Sequence, residues 1–215
     1  MSDNLLLVTG DRNFSSWSLR PWLALRAAGL QFKEERIPLD LPTTHESIMR
    51  FSPSGKVPVL VSGNLHIWDS LAICEYAAEL SSYPLWPKDR EERAHARSIV
   101  AEMHSGFAAL RNQLLMNIRL EIKVEHLNLE TISDIKRVIA IWSTCLEKYN
   151  GPFLFGKDFG IADSFFAPVV LRFLSYGIKI NNTSILNYME KVLKFSPLQE
   201  WMADASVEKN AKFEF

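Results

Sequence analysis

The fold of this chain is indicated by the stretch Phe51-Ser52-Pro53-Ser54-Gly55-Lys56-Val57-Pro58-Val59-Leu60. Its first half is typical of a turn, and its second half places a proline at the start of a short apolar strand. Proline cannot donate to a strand ladder, and X-Pro is the peptide bond in which cis costs little, so Val57-Pro58 needs a special geometry. A cis bond would present the backbone of Val57 to a ligand, whereas the commoner trans bond would open an edge strand.

The next residues, Leu65-His66-Ile67-Trp68-Asp69-Ser70-Leu71-Ala72-Ile73, predict a second strand and a helix. Residues 57–62 and 65–68 are short apolar segments separated by Ser62-Gly63-Asn64, a pattern that favours a hairpin. Helical spacing of apolar residues follows Asp69-Ser70 and continues to residue 80. We therefore expect a β-β-α unit here.

The residues before this stretch predict a strand, a helix and another strand. Residues 4–9 are apolar, residues 19–28 repeat apolar side chains at helical spacing, and residues 32–39 alternate between apolar and polar. A connection of this length between two strands favours a parallel crossover. With a weaker helix near residues 46–51, the predicted order of the first domain is β-α-β-α-β-β-α.

A linker is predicted at residues 82–90, because Pro84 and Pro87 interrupt both the strand and the helix periodicity. It divides the chain into a first domain of residues 1–81 and a second domain of residues 91–215. The second domain has helical spacing in residues 91–120, 129–149, 161–176, 184–194 and 198–205. The predicted fold class is therefore an α/β domain followed by an all-α domain.

The composition describes a globular protein with ample core and disfavours several functions. Of the 215 residues, 47% are hydrophobic and 23% are charged, and the formal net charge is −1. Since there is no long run of Lys or Arg, we expect no nucleic acid and no membrane as a partner. No apolar run is long enough to span a bilayer, and Met1-Ser2-Asp3-Asn4 lacks the basic region of a signal peptide, so we expect a cytoplasmic protein.

The cysteines and histidines give no sign of a metal site. Cys74 and Cys145 lie in apolar helical patterns and are expected to be buried thiols in a reducing compartment. The five histidines show neither an HExxH motif nor another paired-ligand spacing. We therefore predict that the chain binds no metal.

Three motifs resemble, in this order, those of the glutathione S-transferase superfamily, in particular a Ser-type, zeta-like bacterial group. The segment Ser15-Ser16-Trp17-Ser18-Leu19-Arg20 is similar to the Ser-Ser-Cys-Ser-Trp-Arg segment of zeta-class enzymes. Pro53-Ser54-Gly55-Lys56-Val57-Pro58 resembles the family's cis-Pro loop, and Asp69-Ser70 resembles its acidic/Ser pair. The resemblance covers essentially the whole chain. It implies a thioredoxin-like first domain, an all-helical second domain and a cis Val57-Pro58 bond.

The resemblance implies a homodimeric glutathione transferase, which binds glutathione as its co-substrate and delivers the thiolate to a small electrophile. A free thiol with a pKa of about 8.5 is mostly protonated at pH 7, so such a protein must stabilise the thiolate. Ser15 is the expected catalytic residue, because its hydroxyl would lie near a helix N-terminus and donate to sulfur. Ser16 is the alternative, and either serine could instead serve only as a helix cap.

The residues expected to contact glutathione are Trp17, Thr43, Lys56, Val57, Pro58, Asp69 and Ser70. At a helix N-terminus, Ser70 offers a hydroxyl to the γ-glutamyl carboxylate, and Asp69 is well placed for the ammonium. The backbone of Val57 would pair with the cysteinyl unit as a strand edge pairs with a peptide. Lys56 either reaches the glycyl carboxylate or is solvated. Thr43 corresponds only by position to a glutathione-contacting Gln.

The pocket for the electrophile is expected on the first helix of the second domain. Arg97, His104 and Arg111 share one face of this predicted helix at seven-residue spacing, although a solvated face is the commoner explanation. If the face points at the thiol, the pocket would be lined by Met103, His104, Phe107, Arg111, Met116 and Asn117, and an anionic substrate would be plausible.

Two other functions stay open on the sequence. One is a glutathione-dependent cis–trans isomerase similar to maleylacetoacetate isomerase, which Trp17 opposes because zeta-class enzymes have Cys at this position. The other is a non-enzymatic adaptor that has kept the scaffold for protein binding.

Two further motif residues are expected to serve the structure. Arg20 matches the last residue of the serine motif, and an Arg on a first helix often pairs internally, although help in placing the substrate is the alternative. Asp163 ends Gly160-Ile161-Ala162-Asp163, which resembles the family's helix-capping box but has Gly where the reciprocal hydroxyl would be.

Overall fold

The fold was obtained as a computed structural model, which describes residues 4–208. Two parts of the chain lie outside the described residues. They are residues 1–3, which begin the predicted first domain and belong to the segment tested for a signal peptide, and residues 209–215, which end the predicted second domain. The described elements are β1 (Leu5–Thr9), α1 (Ser16–Ala27), β2 (Phe32–Arg36), α2 (Thr44–Met49), β3 (Val59–Ser62), β4 (Leu65–Trp68), α3 (Ser70–Leu80), α4 (Arg90–Ser105), α5 (Ala108–Gln113), α6 (Leu129–Tyr149), α7 (Ile161–Ser175), α8 (Thr183–Leu193) and α9 (Ser196–Val207).

The strands form one mixed sheet in the order β2-β1-β3-β4. β1 and β2 are parallel, with Leu5 opposite Phe32, which confirms the predicted crossover through α1. β3 runs antiparallel to β1 and to β4, which confirms the predicted hairpin. Helices alone follow α3 in the described chain, so the predicted fold class, a thioredoxin-like domain followed by a helical domain, is confirmed.

Several element boundaries differ from the prediction for local reasons. α1 begins at Ser16 rather than at residue 19, because Ser15 occupies the N-cap position and accepts the N–H of Ser18. β3 begins at Val59 rather than at residue 57, since the ring nitrogen of Pro58 cannot donate to the ladder. β2 ends at Arg36, before Pro38.

The predicted continuous helix over residues 91–120 is wrong. α4 ends at Ser105, Gly106 is extended, and Phe107 adopts a left-handed conformation with φ 59° before α5 begins. A Cβ on Gly106 would lie 2.8 Å from the carbonyl oxygen of Glu102, so this tight exit from α4 requires glycine. The break places Arg111 on a separate helix, and the face predicted for Arg97, His104 and Arg111 therefore does not exist.

One hydrophobic core runs through both parts of the chain, because α1 packs against α3 on one side and against α7 and α9 on the other. Leu23 of α1 and Phe165 of α7 are both fully buried in this cluster. A smaller cluster covers the other face of the sheet and contains Val8, Ile37, Ile48 and Val59. The N-terminus of α1 is thereby held against the helical part.

Asp163 is a buried cap that joins α7 to the loop before it. Its carboxylate accepts the N–H of Gly160 at 2.9 Å and the N–H of Leu154 at 3.0 Å. Burial raises the pKa of Asp163 to about 6, while these hydrogen bonds lower it. Asp163 therefore accepts the N–H of Gly160, as predicted from the motif.

Replacing Asp163 with Ala is expected to lower the free energy of unfolding by about 3 kcal/mol, because a buried N–H group and a partly buried one lose their acceptor. Urea unfolding at neutral pH measures the loss. Asp89→Ala is the matched control, since Asp89 also accepts two N–H groups, those of Glu91 and Glu92, but is exposed. Equal losses in the two variants would contradict the importance of burial at Asp163.

Candidate functional site

A cleft of about 460 Å³ lies where the start of α3, the Pro58 loop, α1 and α4 meet. It is lined by Trp17, Ser54, Lys56, Val57, Pro58, Trp68, Asp69, Ser70 and His104. The structure thus brings together six of the seven residues expected to contact glutathione. Ser54 and Trp68 were missed by the sequence reasoning, although each lies beside a predicted residue in the chain. A second cavity, of about 300 Å³, lies along the linker and is lined by none of the residues expected to contact glutathione or the electrophile.

The Pro58 loop forms one wall of the cleft. The Val57-Pro58 bond is cis, Pro58 is buried and Val57 is half-buried. The ladder between β1 and β3 begins at Val59, so Val57 lies just before the paired part of the strand. Lys56 is exposed at the edge of the same wall.

Asp69 and Ser70 form the opposite wall at the start of α3. One carboxylate oxygen of Asp69 accepts the N–H of Leu71 at 2.8 Å and that of Ala72 at 3.4 Å, so Asp69 caps the helix. Ser70 is 1% exposed, and its hydroxyl oxygen has no hydrogen-bond partner among residues 4–208. A buried polar atom without a partner costs free energy. Ser70 therefore presents an unused donor and acceptor at the positive end of a helix.

The two predicted catalytic serines do not line the cleft. Both are 6% exposed and lie one and two residues before Trp17. The Ser15 hydroxyl donates to the Ser18 hydroxyl oxygen at 2.8 Å, and Ser18 also accepts the N–H of Gly10. The Ser16 hydroxyl oxygen accepts an N–H of Arg172 at 3.3 Å. Ser15 thus caps α1, and Ser16 contacts α7.

Trp17 lies above a group of arginines. The guanidinium carbons of Arg20 and Arg111 are 4.3 Å and 4.8 Å from the centre of its ring, at cation–π distance. Arg20 is 2% exposed, and its Nε and Nη1 have no hydrogen-bond partner among the described residues. Burial lowers the pKa of Arg20, and the charges of Arg111 and Arg172 lower it further. Burial also lowers the pKa of Arg172 to about 9.

Most residues expected to line the electrophile pocket lie elsewhere. Met103, Phe107 and Met116 are buried in the hydrophobic core. Asn117 is buried and accepts a hydrogen bond from the side chain of Asn13 at 2.8 Å. Arg111 donates to backbone carbonyls of the turn, including that of Gly106 at 3.1 Å.

Of the two remaining predicted contacts, Thr43 does not line the cleft and His104 does. Thr43 is exposed just before α2 and is absent from the cleft lining. His104, expected in the electrophile pocket, does line the cleft, and its Nε2 lies 3.1 Å from the carboxylate of Asp69. Of the six residues expected in that pocket, His104 alone is part of the cleft lining.

The two cysteines are buried thiols, and the described residues contain neither a membrane-spanning helix nor a metal-binding cluster. Cys74 and Cys145 are buried and unpaired, and burial raises the pKa of both thiols, that of Cys145 to about 12. Within residues 4–208, no helix combines the length and apolarity of a membrane span, and no group of His, Cys, Asp and Glu has the arrangement of a metal site.

Comparisons with known proteins agree with the motifs. Residues 14–80 match the family described as glutathione S-transferase, N-terminal domain. The chain is 32% identical to glutathione S-transferase 1 of Dianthus caryophyllus over 74% of this chain and 73% of the relative. It is 26% identical to a probable maleylacetoacetate isomerase of Caenorhabditis elegans over 86% of each chain. A solved glutathione transferase homologue from Burkholderia, with bound glutathione, matches at a TM-score of 0.73 and 22% identity, covering 95% of this chain and 100% of the other, which confirms the fold.

The arginine below Trp17 provides a test of the electrostatics of the site. Replacing Arg20 with Met is expected to raise the free energy of unfolding by about 1 kcal/mol, because a buried cation without an acidic hydrogen-bond partner is exchanged for an apolar side chain of similar length. Arg12→Met is the matched control. Arg12 is equally buried but forms ion pairs with Glu34 and Asp204, so its loss should cost about 3 kcal/mol in the same urea titration. Similar losses in both variants would contradict the account of Arg20.

Proposed function

The chain belongs to the glutathione S-transferase family, and on this premise we propose that it binds glutathione in the cleft and activates the thiol for transfer to a small electrophile. The observation that carries the proposal is the meeting of Val57, Asp69 and Ser70 around one cavity, with a Ser70 hydroxyl that has no hydrogen-bond partner within residues 4–208. A γ-glutamyl peptide has groups that match each of these three residues.

The proposed binding mode uses both walls of the cleft. The hydroxyl of Ser70 and the N-terminus of α3 bind the γ-glutamyl carboxylate, because both offer donors to an anion. The carboxylate of Asp69 accepts the ammonium group. The backbone of Val57 pairs with the cysteinyl unit in the manner of an added strand. Lys56, exposed at the edge, is placed for the glycyl carboxylate.

Activation of the thiol is assigned to the serines at the start of α1. Ser15 is proposed as the donor to sulfur, which requires its hydroxyl to turn away from Ser18. Ser16 is the second candidate, since its oxygen accepts from Arg172 and, among the described residues, its hydroxyl donates to no side chain. In either case the positive end of α1 and the nearby guanidinium groups of Arg20 and Arg111 favour the anion.

A second candidate function is a glutathione-dependent cis–trans isomerase, favoured by the similarity to maleylacetoacetate isomerases of Caenorhabditis elegans and Rattus norvegicus. Such a reaction begins with the same thiolate, which adds to a double bond instead of displacing a leaving group. Activity on a maleyl substrate, compared with activity on a haloaromatic electrophile, separates the two. An adaptor without enzymatic activity is the remaining alternative, and it need not bind glutathione.

The cellular setting is proposed from the same family resemblance. We propose that the chain works in the cytoplasm as a homodimer, with glutathione and a small electrophile as its partners and with neither nucleic acid nor a membrane among them. Sedimentation of the purified protein tests the dimer.

The roles of the cleft residues are separated by two titrations of the purified protein. Ser70→Ala is expected to weaken glutathione binding about tenfold, because a hydrogen bond to a charged group is lost, and to leave the pKa of the bound thiol unchanged. Calorimetry measures the affinity, and the ultraviolet absorbance of the thiolate measures the pKa. Ser98→Ala, on the exposed face of α4, is the control and should bind like the unaltered protein.

Ser15→Ala is expected to have the opposite effect. The pKa of the bound thiol should rise by about 1 to 2 units towards its free value of about 8.5, with little change in affinity. Ser16→Ala, measured alongside, decides between the two serines. An unchanged pKa in both variants would refute the assignment of the thiolate to either hydroxyl.

A further inference from the structure

His104 reaches from α4 into the cleft and contacts Asp69, a residue that glutathione is proposed to use. We propose that His104 is a positioning residue for Asp69: its neutral imidazole orients the carboxylate towards the ammonium group of glutathione, and its protonation weakens glutathione binding. The inference rests on the proposed function and deepens it, because it adds a residue from the helical part to the γ-glutamyl end of the site.

Asp69 needs such a partner because only half of its carboxylate is otherwise held. Oδ1 accepts the N–H groups of Leu71 and Ala72, and Oδ2 lies 3.1 Å from Nε2 of His104. Asp69 also has a φ of 77°, an unusual conformation for a residue other than glycine. Such conformations persist where the surroundings determine them. The contact with His104 fixes Oδ2 of Asp69, the carboxylate oxygen that does not cap α3.

The surroundings of His104 favour its neutral form. Asp69 faces it from the start of α3, Trp17 and Arg20 from α1, Arg111 from α5 and Phe165 from α7. Burial lowers the pKa of His104 below its ordinary value of 6.5, Arg20 and Arg111 lower it further, and Asp69 opposes them. The buried Nδ1 has no hydrogen-bond partner among the described residues, which suits an unprotonated nitrogen. Nε2 therefore carries the proton and donates to Asp69.

The state of His104 decides how much of the Asp69 charge is available. A carboxylate oxygen has two lone pairs, so Oδ2 can accept from a neutral imidazole and from an ammonium group at once. A protonated imidazole neutralises the carboxylate and repels the ammonium. The affinity for glutathione is therefore highest above the pKa of His104. It decreases as the pH falls through that pKa, which lies below 6.5.

A contact that only joined α4 to α3 would behave differently. Its loss would change the stability of the fold without a selective effect on glutathione affinity or on the pH dependence of binding. A contact with the electrophile would change the KM for the electrophile alone. The glutathione affinity and its pH profile are therefore the decisive measurements.

The probe is S-methylglutathione, which keeps the γ-glutamyl ammonium and carboxylate but has no thiol to titrate. Calorimetric Kd values are measured between about pH 5 and pH 7.5, where the ammonium group of the probe keeps its charge. The variants are His104→Gln, which keeps an N–H donor without a proton to gain, and His104→Ala, which removes the donor. His95→Gln is the matched control, because His95 lies on the same helix and is hydrogen-bonded to the Tyr149 hydroxyl away from the cleft.

The unaltered protein and His95→Gln are expected to bind the probe roughly five- to tenfold more weakly at the acidic end of the range. His104→Gln should bind like the unaltered protein at pH 7.5 and lose this pH dependence. His104→Ala should bind the probe about fivefold more weakly at pH 7.5, because the donor to Asp69 is lost. Circular dichroism checks that each variant is folded. If His104→Ala does not fold, the pH dependence of His104→Gln is sufficient to test the inference.

Two results would overturn the inference while leaving the proposed function intact: a pH dependence in His104→Gln equal to that of the unaltered protein, or unaltered binding in His104→Ala. Asp11 and Asp163 also titrate near pH 6, but they are present in every variant and cannot produce a difference between them. Absence of binding by the unaltered protein, to both glutathione and the probe, would refute the proposed function and this inference together.

Discussion

The burial of α1 is the constraint on which the rest of the structure depends. Leu19, Leu23 and Leu25 are fully buried, and Trp22 is 2% exposed. The helix is therefore enclosed on nearly every side, by α3 in the first part of the chain and by α7 and α9 in the second. Because it has no free face along which to shift, the residues at its N-terminus keep one position relative to the sheet and to α4. The cleft needs this fixed position, because its lining comes from both parts of the chain.

The same enclosure sets the electrostatics of the site. A shift of two units in a thiol pKa needs about 2.7 kcal/mol of differential stabilisation. A helix N-terminus supplies about 0.3–1 kcal/mol, and a hydrogen bond to a charged atom supplies about 1.5–3 kcal/mol. The serine hydroxyl is therefore the larger contribution and the helix the smaller. Within residues 4–208, neither Arg20 nor Arg172 forms an ion pair with a carboxylate, and burial disfavours the charge of both. An anion in the cleft would offset part of this desolvation cost.

The sequence predicted well those features that depend on neighbouring residues. The strands, the turn at Gly63 and the two cleft walls, one with Val57 and the other with Asp69 and Ser70, follow from turn residues and short-range periodicity. The break at Gly106 and Phe107 could not be foreseen, because apolar residues continue through it at helical spacing. Phe107 adopts a left-handed conformation that is uncommon for a residue other than glycine, and the close approach of Gly106 to the carbonyl oxygen of Glu102 is visible only in the folded backbone. The orientation of the Ser15 hydroxyl could not be predicted from the sequence either, because it depends on the hydrogen bonds that join Ser15, Ser18 and Gly10.

His104 shows how the break in the helix and the cleft are connected. Because α4 ends at Ser105, His104 lies in its last turn, where the negative end of the helix favours a cation by about 0.3–1 kcal/mol. Asp69 favours the cation as well. Yet the pKa of His104 is lowered, with burial as the largest cause and Arg20 and Arg111 adding to it, so desolvation and the arginines outweigh both attractions. A lysine at this position would carry its charge to Asp69 at any physiological pH and compete with a ligand's ammonium. A histidine that these surroundings keep neutral can hold the carboxylate without neutralising it.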